Sequence, residues 1–346
     1  MKKLLAVLLA LSLLFAFAAC GNKEKETPAD AETTKTQSEE TTVPETTEAV
    51  KPEPVKPEPV KPEPVVLIDN EQLTVTINDA YIDEDMGYTL KATLENKGEK
   101  DYTYYIEPSS IDGIAVMNFF YADVSAGKKA VEKISFDDEI LRKNGVGDYT
   151  DIEMTIIISD AGDLFSDPIA DYTVHYYPQG EEKATKYVRQ PAVTDKILID
   201  NEYITVTATG LVHDDDFECT DLWLYVVNKS DKDISLDVES CSINDIMMDV
   251  FFVESVPAGK ALFGTVSFYD EEFKEKEVGE IGEIEIKFSG YDEAAYLGSI
   301  LDIDPEEILG EGVEDLLEGG IESILGGDTD FLKDFYLFEE TVVYEP

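Results

Sequence analysis

The sequence predicts an all-β protein: two β-sandwiches in tandem, the second carrying a short helical insertion, behind a disordered N-terminal stalk. Three observations predict it. The pentapeptide LIDNE stands at Leu67–Glu71 and again at Leu198–Glu202. Between and after these copies, apolar residues alternate with polar ones at a period of two. Turn-forming clusters such as Asn-Lys-Gly, Asp-Gly and Ala-Gly-Lys punctuate the chain at the spacing of short strands.

Before the first copy come two segments that belong to neither sandwich. The chain opens MKKLLAVLLALSLLFAFAACGN, with Lys2 and Lys3 preceding an apolar run, Leu4–Ala19, that ends in small residues before Cys20. This is the pattern of a secretory signal, too short and wrongly flanked for a standing membrane helix. FAAC resembles the lipobox of bacterial lipoproteins, with Phe17 standing where leucine is usual. That resemblance implies cleavage after residue 19 and lipidation of Cys20, hence attachment to the outer face of the cytoplasmic membrane. Plain secretion with an incidental thiol is the alternative. Residues 20–66 then turn to Thr, Glu, Lys and Pro, closing in KPEPVKPEPVKPEPV. They offer too little apolar surface to offset the entropy of ordering. Proline at alternate positions biases the repeats to polyproline II, so Lys51–Val65 reaches roughly 45 Å as a spacer.

Alignment of the two copies carries the duplication through most of the remaining chain. The offset is 131 at LIDNE and 132 from NKGEKD (Asn96) against NKSDKD (Asn228) onward, including AGK at Ala126 and Ala258 and Ile152 against Ile284. One single-residue insertion therefore separates copies at 67–180 and 196–346, joined by a linker at 181–195. Leu73, Val75 and Ile77 mark the opening strand, repeated by Ile204, Val206 and Ala208. Further strands are expected at Tyr88–Glu95, Tyr102–Glu107, Ile114–Tyr121, Ala130–Phe136, Ile152–Ile158 and Tyr172–Tyr177. About seven strands in roughly 110 residues match an immunoglobulin-like sandwich.

The strands LTVTI and ITVTA, the strand running into NKGEKD or NKSDKD, and the later AGK resemble the telokin-like, immunoglobulin-like extracellular domains of unknown function found on lipoproteins of Gram-positive bacteria. The resemblance covers both copies. It implies a fold and a location, and brings no catalytic residues.

The second copy departs from the first near its end. YTVHYYP at Tyr172 finds its partner in ETVVYEP at Glu340 only if 36 extra residues have entered. The insertion, about residues 296–330, contains an N-cap at Asp304 with Pro305 at the first helical position. Leu309, Val313, Leu316, Leu317, Ile321 and Ile324 recur at near-helical spacing, predicting one or two short amphipathic helices. They form either a cap over the sandwich or a partner-binding element. The stretch lacks Lys and Arg, which argues against a basic membrane-surface helix.

Composition narrows the partners. A net charge of −49 at pH 7 makes nucleic acid and anionic lipid surfaces poor partners for the globular part, leaving cations, basic proteins and neutral glycans. No cofactor is expected unless it is calcium: Asp83, Glu84, Asp85 and their counterparts Asp214, Asp215, Asp216 cluster carboxylates in equivalent loops, as a calcium site or simply as solvated turns. Three cysteines and two histidines show no zinc spacing. Pairing β-strands into a hairpin about NKSDKD would set Cys219 opposite Cys241 and allow a disulfide, with two buried thiols as the alternative. Tyr102, Tyr104, Phe119, Phe120 and Tyr121 suggest either glycan stacking or core. No nucleophile motif or phosphate loop stands out. The expected function is a non-catalytic surface module that binds a protein or glycan or serves the envelope structurally. Capture of a cation or small solute is the alternative, and an enzyme without a recognisable motif the weaker one.

Overall fold

The computed structural model describes residues 63–163, 167–295 and 335–346. Cys20, the stalk to residue 62 and the insertion residues Leu309, Val313, Leu316, Leu317, Ile321 and Ile324 lie outside the described residues. No helix among the described residues is long and apolar enough to cross a membrane.

The first copy forms β1 (Val65–Asp69), β2 (Leu73–Asp83), β3 (Gly87–Asn96), β4 (Tyr102–Ile111), β5 (Ile114–Ala115), β6 (Tyr121–Val124), β7 (Lys129–Phe136), α1 (Glu139–Lys143), β8 (Ile152–Asp160) and β9 (Ala170–Tyr176). The second repeats this order as β10 (Lys196–Asp200), β11 (Ile204–Asp214), β12 (Cys219–Asn228), β13 (Ile234–Ile243), β14 (Ile246–Met248), β15 (Val253–Val256), β16 (Ala261–Tyr269), α2 (Asp270–Glu275), β17 (Ile284–Asp292) and β18 (Tyr336–Tyr344). The period-two reading holds residue by residue. Leu73, Val75 and Ile77 are buried while Thr74 and Thr76 are not, and Ile204, Val206 and Ala208 repeat the pattern.

Three sheets result among the described residues. The first is β1-β2-β3-β7; the second runs β10-β11-β12-β16-β5-β4-β8-β9, with β6 also on β4; the third is β14-β13-β17-β18, with β15 also on β13. Two hydrophobic cores lie between them. In one, Leu73, Leu90, Leu94 and Phe136 meet Tyr104, Ile111, Ile152 and Ile156. In the other, Ile204, Leu222, Leu224 and Phe268 meet Leu236, Ile243, Ile284 and Phe288.

The most strongly repeated residues build one corner, twice. Asn96, fully buried at the end of β3, donates from Nδ2 to the carbonyls of Lys100 (2.7 Å) and Val124 (2.8 Å), and its Oδ1 accepts from Gly98 N–H. Asn228 does the same with Lys232, Val256 and Ser230. Lys97 pairs with Asp69 of the first LIDNE at 2.6 Å, and Lys229 with Asp200 of the second at 2.7 Å. Lys100–Asp160 and Lys232–Asp292 repeat as well. Gly127 and Gly259 take φ of 68° and 67° in the AGK turns, where a side chain is disfavoured.

Two expectations need correction. NKSDKD is not a hairpin turn, because β12 and β13 are in different sheets; at its counterpart NKGEKD, likewise, β3 pairs with β2 and β7 whereas β4 pairs with β5, β6 and β8. The buried asparagine carries the chain from one sheet to the other. The expected strand at Ile114–Tyr121 is also broken. After β5 the chain leaves β4 and runs beside the end of β7, where Asp137 N–H bonds the Met117 carbonyl at 2.9 Å, before β6 returns to β4.

Replacing Asn228 with Ala leaves the buried Val256 carbonyl without its donor and the Lys232 carbonyl with only the Ser230 hydroxyl at 3.2 Å, so the N228A chain should lose about 2 kcal/mol in urea unfolding. An unchanged midpoint would show that water satisfies the crossover instead.

Candidate functional site

The second sheet draws strands from both copies, and the place where they meet is the most specific feature outside the cores. β16 runs parallel to β5, with Ala261 opposite Ile114 and its N–H donating to the Gly113 carbonyl at 2.9 Å. Lys260 reaches across to β8, its Nζ 2.5 Å from Glu153 Oε2, with side chains only 13% and 29% exposed. His175 stands opposite Glu153 on β9; its Nδ1 lies 2.8 Å from Asp151 Oδ1 and its Nε2 3.8 Å from Glu153. Packing crosses as well: Phe263 of β16 belongs to the first core and Ala115 of β5 to the second.

The linker seals this joint. Tyr187 N–H donates to the Asp112 carbonyl at 2.7 Å, and its ring lies 6.0 Å from that of Phe263, which in turn sits 5.0 Å from Tyr225. Arg189 lies over the Tyr225 ring at 5.7 Å and holds Asp195 through both terminal nitrogens at 2.5 and 2.8 Å. Beside it opens a shallow cavity of about 350 Å³, lined by Asp112, Gly145, Val146, Gly147, Asp148, Thr185 and Tyr187. Asp112 Oδ1 already accepts from Thr150 N (2.9 Å), Thr150 Oγ1 (2.7 Å) and Asp151 N (2.8 Å). That carboxylate therefore fixes the turn between β4 and β5, at a φ of 51° for Asp112. Chemically the joint is a place of shape and charge matching.

The residues singled out from sequence fall elsewhere. Asp83 ends β2 and pairs with Lys133 at 3.0 Å, which holds its carboxyl below the usual range, while its Oδ1 accepts from Asp85 N–H. Glu84 and Asp85 are exposed in the same turn. Asp214 Oδ1 accepts from Asp216 and Phe217 N–H, and Asp215 lies 3.3 Å from His213. Among the described residues no three His, Cys, Asp or Glu side chains are grouped to hold a metal ion.

Cys219 and Cys241 are buried and free, which corrects the expected bridge. They belong to different sheets: Cys219 pairs with Asp214 and Tyr269, Cys241 with Met248 and Ile286. Burial pushes the Cys219 thiol up to about 11 and the Cys241 thiol to about 12, so neither is a reactive nucleophile at neutral pH. Tyr102, Tyr104 and Phe120 are core residues, whereas Phe119 and Tyr121 are exposed. The indole N–H of Trp223 is buried without a hydrogen-bond partner.

Sequence reading missed the joint. Lys260 aligns with Lys128 and Glu153 with Glu285, so neither stands out from its counterpart. The only signal was in residues 181–195, where Tyr187 and Arg189 depart from the aromatic-free sequence of residues 20–66 that precedes the first copy.

No protein-family model matches the chain, and no curated protein matches it. Among solved structures, similarity is found to the YadV chaperone, at 10% identity and a TM-score of 0.21 over 64% of this chain and 94% of that one. A second is the CsuC-CsuE chaperone-tip adhesion subunit pre-assembly complex from archaic chaperone-usher Csu pili of Acinetobacter baumannii, at 11% identity and a TM-score of 0.18 over 60% and 86%.

Two carboxyls near the rim of the second core are held protonated unusually far up the pH scale. Burial raises Glu254, opposite the buried Leu236, to about 7; burial and the neighbouring Glu239 raise Asp237 to about 6. Each binds its proton more tightly folded than unfolded, so its contribution is fully present below the ordinary carboxylate range and is lost as pH rises through about 6 to 7. The E254Q chain should therefore melt above the parent at pH 8, by a margin on the order of 2 kcal/mol, and close to it at pH 4. An equal difference at both pH values would mean that Glu254 is solvated.

Proposed function

We propose that this chain is a lipid-anchored protein of the bacterial cell surface whose two tandem immunoglobulin-like sandwiches act as one rigid, non-catalytic module. The leader ending at Cys20 and the KPEPV spacer support the address: a lipid at residue 20 holds the chain on the outer face of the cytoplasmic membrane, and the stalk carries the sandwiches away from it. The observation that carries the module reading is the sheet shared between β16 and β5, buttressed by Lys260–Glu153 and by Tyr187 and Arg189. A joint this specific favours a fixed spacing and orientation over two beads on a flexible string. Such a body suits the presentation of a binding surface to a protein or glycan, or a structural part in the envelope. The strong negative charge keeps it soluble beside a membrane and away from anionic surfaces.

The test is made on cells expressing the full chain with an alkyne-tagged fatty acid in the medium. Incorporation should be complete in the parent and absent from C20S, with the C20S chain released to the medium. Surface crosslinking of the anchored parent should then recover a defined neighbour. Unlabelled parent chain, or C20S retained on the membrane, would contradict the anchor; a labelled chain without any crosslinked neighbour would remove the binding role and leave the structural one.

A further inference from the structure

We propose that this chain associates head to tail with further copies of itself, through the unpaired counterparts of the two surfaces that join its own halves. The joint is heterologous: the β16 edge of the second copy meets the β5 edge of the first. Duplication has therefore produced each surface twice. The counterpart of β16 is β7, and the counterpart of β5 is β14. Among the described residues, β7 pairs with β3 and is otherwise bridged only at Phe136, far from its Lys129 end, and β14 pairs only with β13. Neither edge has a second strand along it among the described residues, and on β14 the Met247 carbonyl is met only by a side chain, accepting from Lys276 Nζ at 2.9 Å, a contact that an incoming strand would exchange.

The residues at these free surfaces match what the joint requires. Lys260 and Glu153, which pair across the joint, are kept as Lys128 and Glu285, both exposed. The apolar contacts are kept in kind. Phe263 and Ala115, 3% and 8% exposed inside the joint, correspond to Val131 and Met247, 58% and 60% exposed. Large apolar side chains on open strand edges are a liability that a partner edge would relieve. The most telling change is at the backbone contact itself. Ala261 and Gly113, small and uncharged where their N–H and carbonyl meet, correspond to Lys129 and Asp245. Both sides differ from the internal joint, carrying opposite charges that complement each other when one chain's β7 meets another's β14. Lys129 is held by Glu95 at 3.0 Å, with side chains 61% and 30% exposed, a partly solvated pair that can be exchanged.

Applying the internal joint once more sets the third sheet of one chain edge to edge with the first sheet of the next, as β5 and β16 already fuse the second. Such a contact is not self-complementary, so it does not close a two-fold dimer and instead runs head to tail, into a ring or an open array according to whether its rotation closes. Tyr187 and Arg189 seal only the internal joint, and the net charge of −49 opposes approach, so the contact between chains is the weaker and reversible one.

The experiment measures sedimentation of the full chain against concentration, with circular dichroism melts to verify folding of each variant. Lys128 and Glu285 side chains are exposed, so K128E and E285K should fold as the parent does. Each alone should weaken association about tenfold, and K128E/E285K in one chain should restore it, because the reversed pair forms again between neighbours. In the second arm, Lys129→Cys chains mixed with Ile246→Cys chains should give disulfide-linked species beyond those of either alone, since these positions are the counterparts of the paired Ala261 and Ile114. Strictly monomeric parent chain, a double variant no better than the single ones, or Lys129→Cys chains that link to each other as readily as to the mixture would each overturn the proposal.

Discussion

A buried asparagine at the end of the third strand of each copy is the constraint on which the rest depends. Asn96 and Asn228 each satisfy two backbone carbonyls and one N–H of a chain that is leaving one sheet for the other. A side chain able to donate twice and accept at once supplies what the backbone cannot supply to itself at a crossover. Because the crossover holds, β3 and β4 face each other across a core and do not zip into a hairpin, and the same is true of β12 and β13. The ion pairs from Lys97 and Lys229 to the LIDNE aspartates then tie the opening turn of each copy to that corner. They are exposed and add little energy, but they fix geometry where three turns converge.

From that corner the joint between copies follows. The AGK turn leads directly into β16, so the position of Lys260 and Ala261 is set by the carbonyl of Lys260 accepting from Asn228 N–H at 2.9 Å. The same turn in the first copy leads into β7, whose start, among the described residues, has β3 beside it but no second strand on its other edge. Duplication has thus preserved the corner and let the edges diverge: small and aromatic residues where the two copies meet, and charged residues beside exposed Val131 and Met247 where they do not.

Much of the fold was legible in the sequence because its signals are local. Alternation over Leu73–Ile77 and Ile152–Ile158 reports one buried sheet face directly, and the repeat itself transfers each assignment to the second copy. What was not legible depends on which strand lies beside which. An Asn-Lys-Ser turn between apolar runs reads as a hairpin until the asparagine is seen to be buried, and the register drawn from that hairpin placed Cys219 against Cys241 when they occupy different sheets. The strand at Ile114–Tyr121 looked continuous because a chain that changes sheets keeps its apolar content while changing partners. The joint was invisible for a related reason: Lys260 and Glu153 are ordinary surface residues in isolation, and only β16 lying along β5 brings them together.

The central claim is that the two copies form one rigid body through their shared sheet, and the distance between them tests it most directly. Met86 and Phe217 are exposed residues in equivalent turns of the two copies. With Cys20→Ser, and with the two native thiols buried, spin labels at Met86→Cys and Phe217→Cys report that distance by pulsed electron resonance. A shared sheet predicts a single narrow distribution that survives moderate salt and broadens when Lys260 is replaced by Ala and Ala261 by Pro, whose ring removes the N–H that bonds Gly113. A broad distribution in the parent chain would mean that the copies swing independently, and that neither the joint nor anything inferred from it describes the protein in solution.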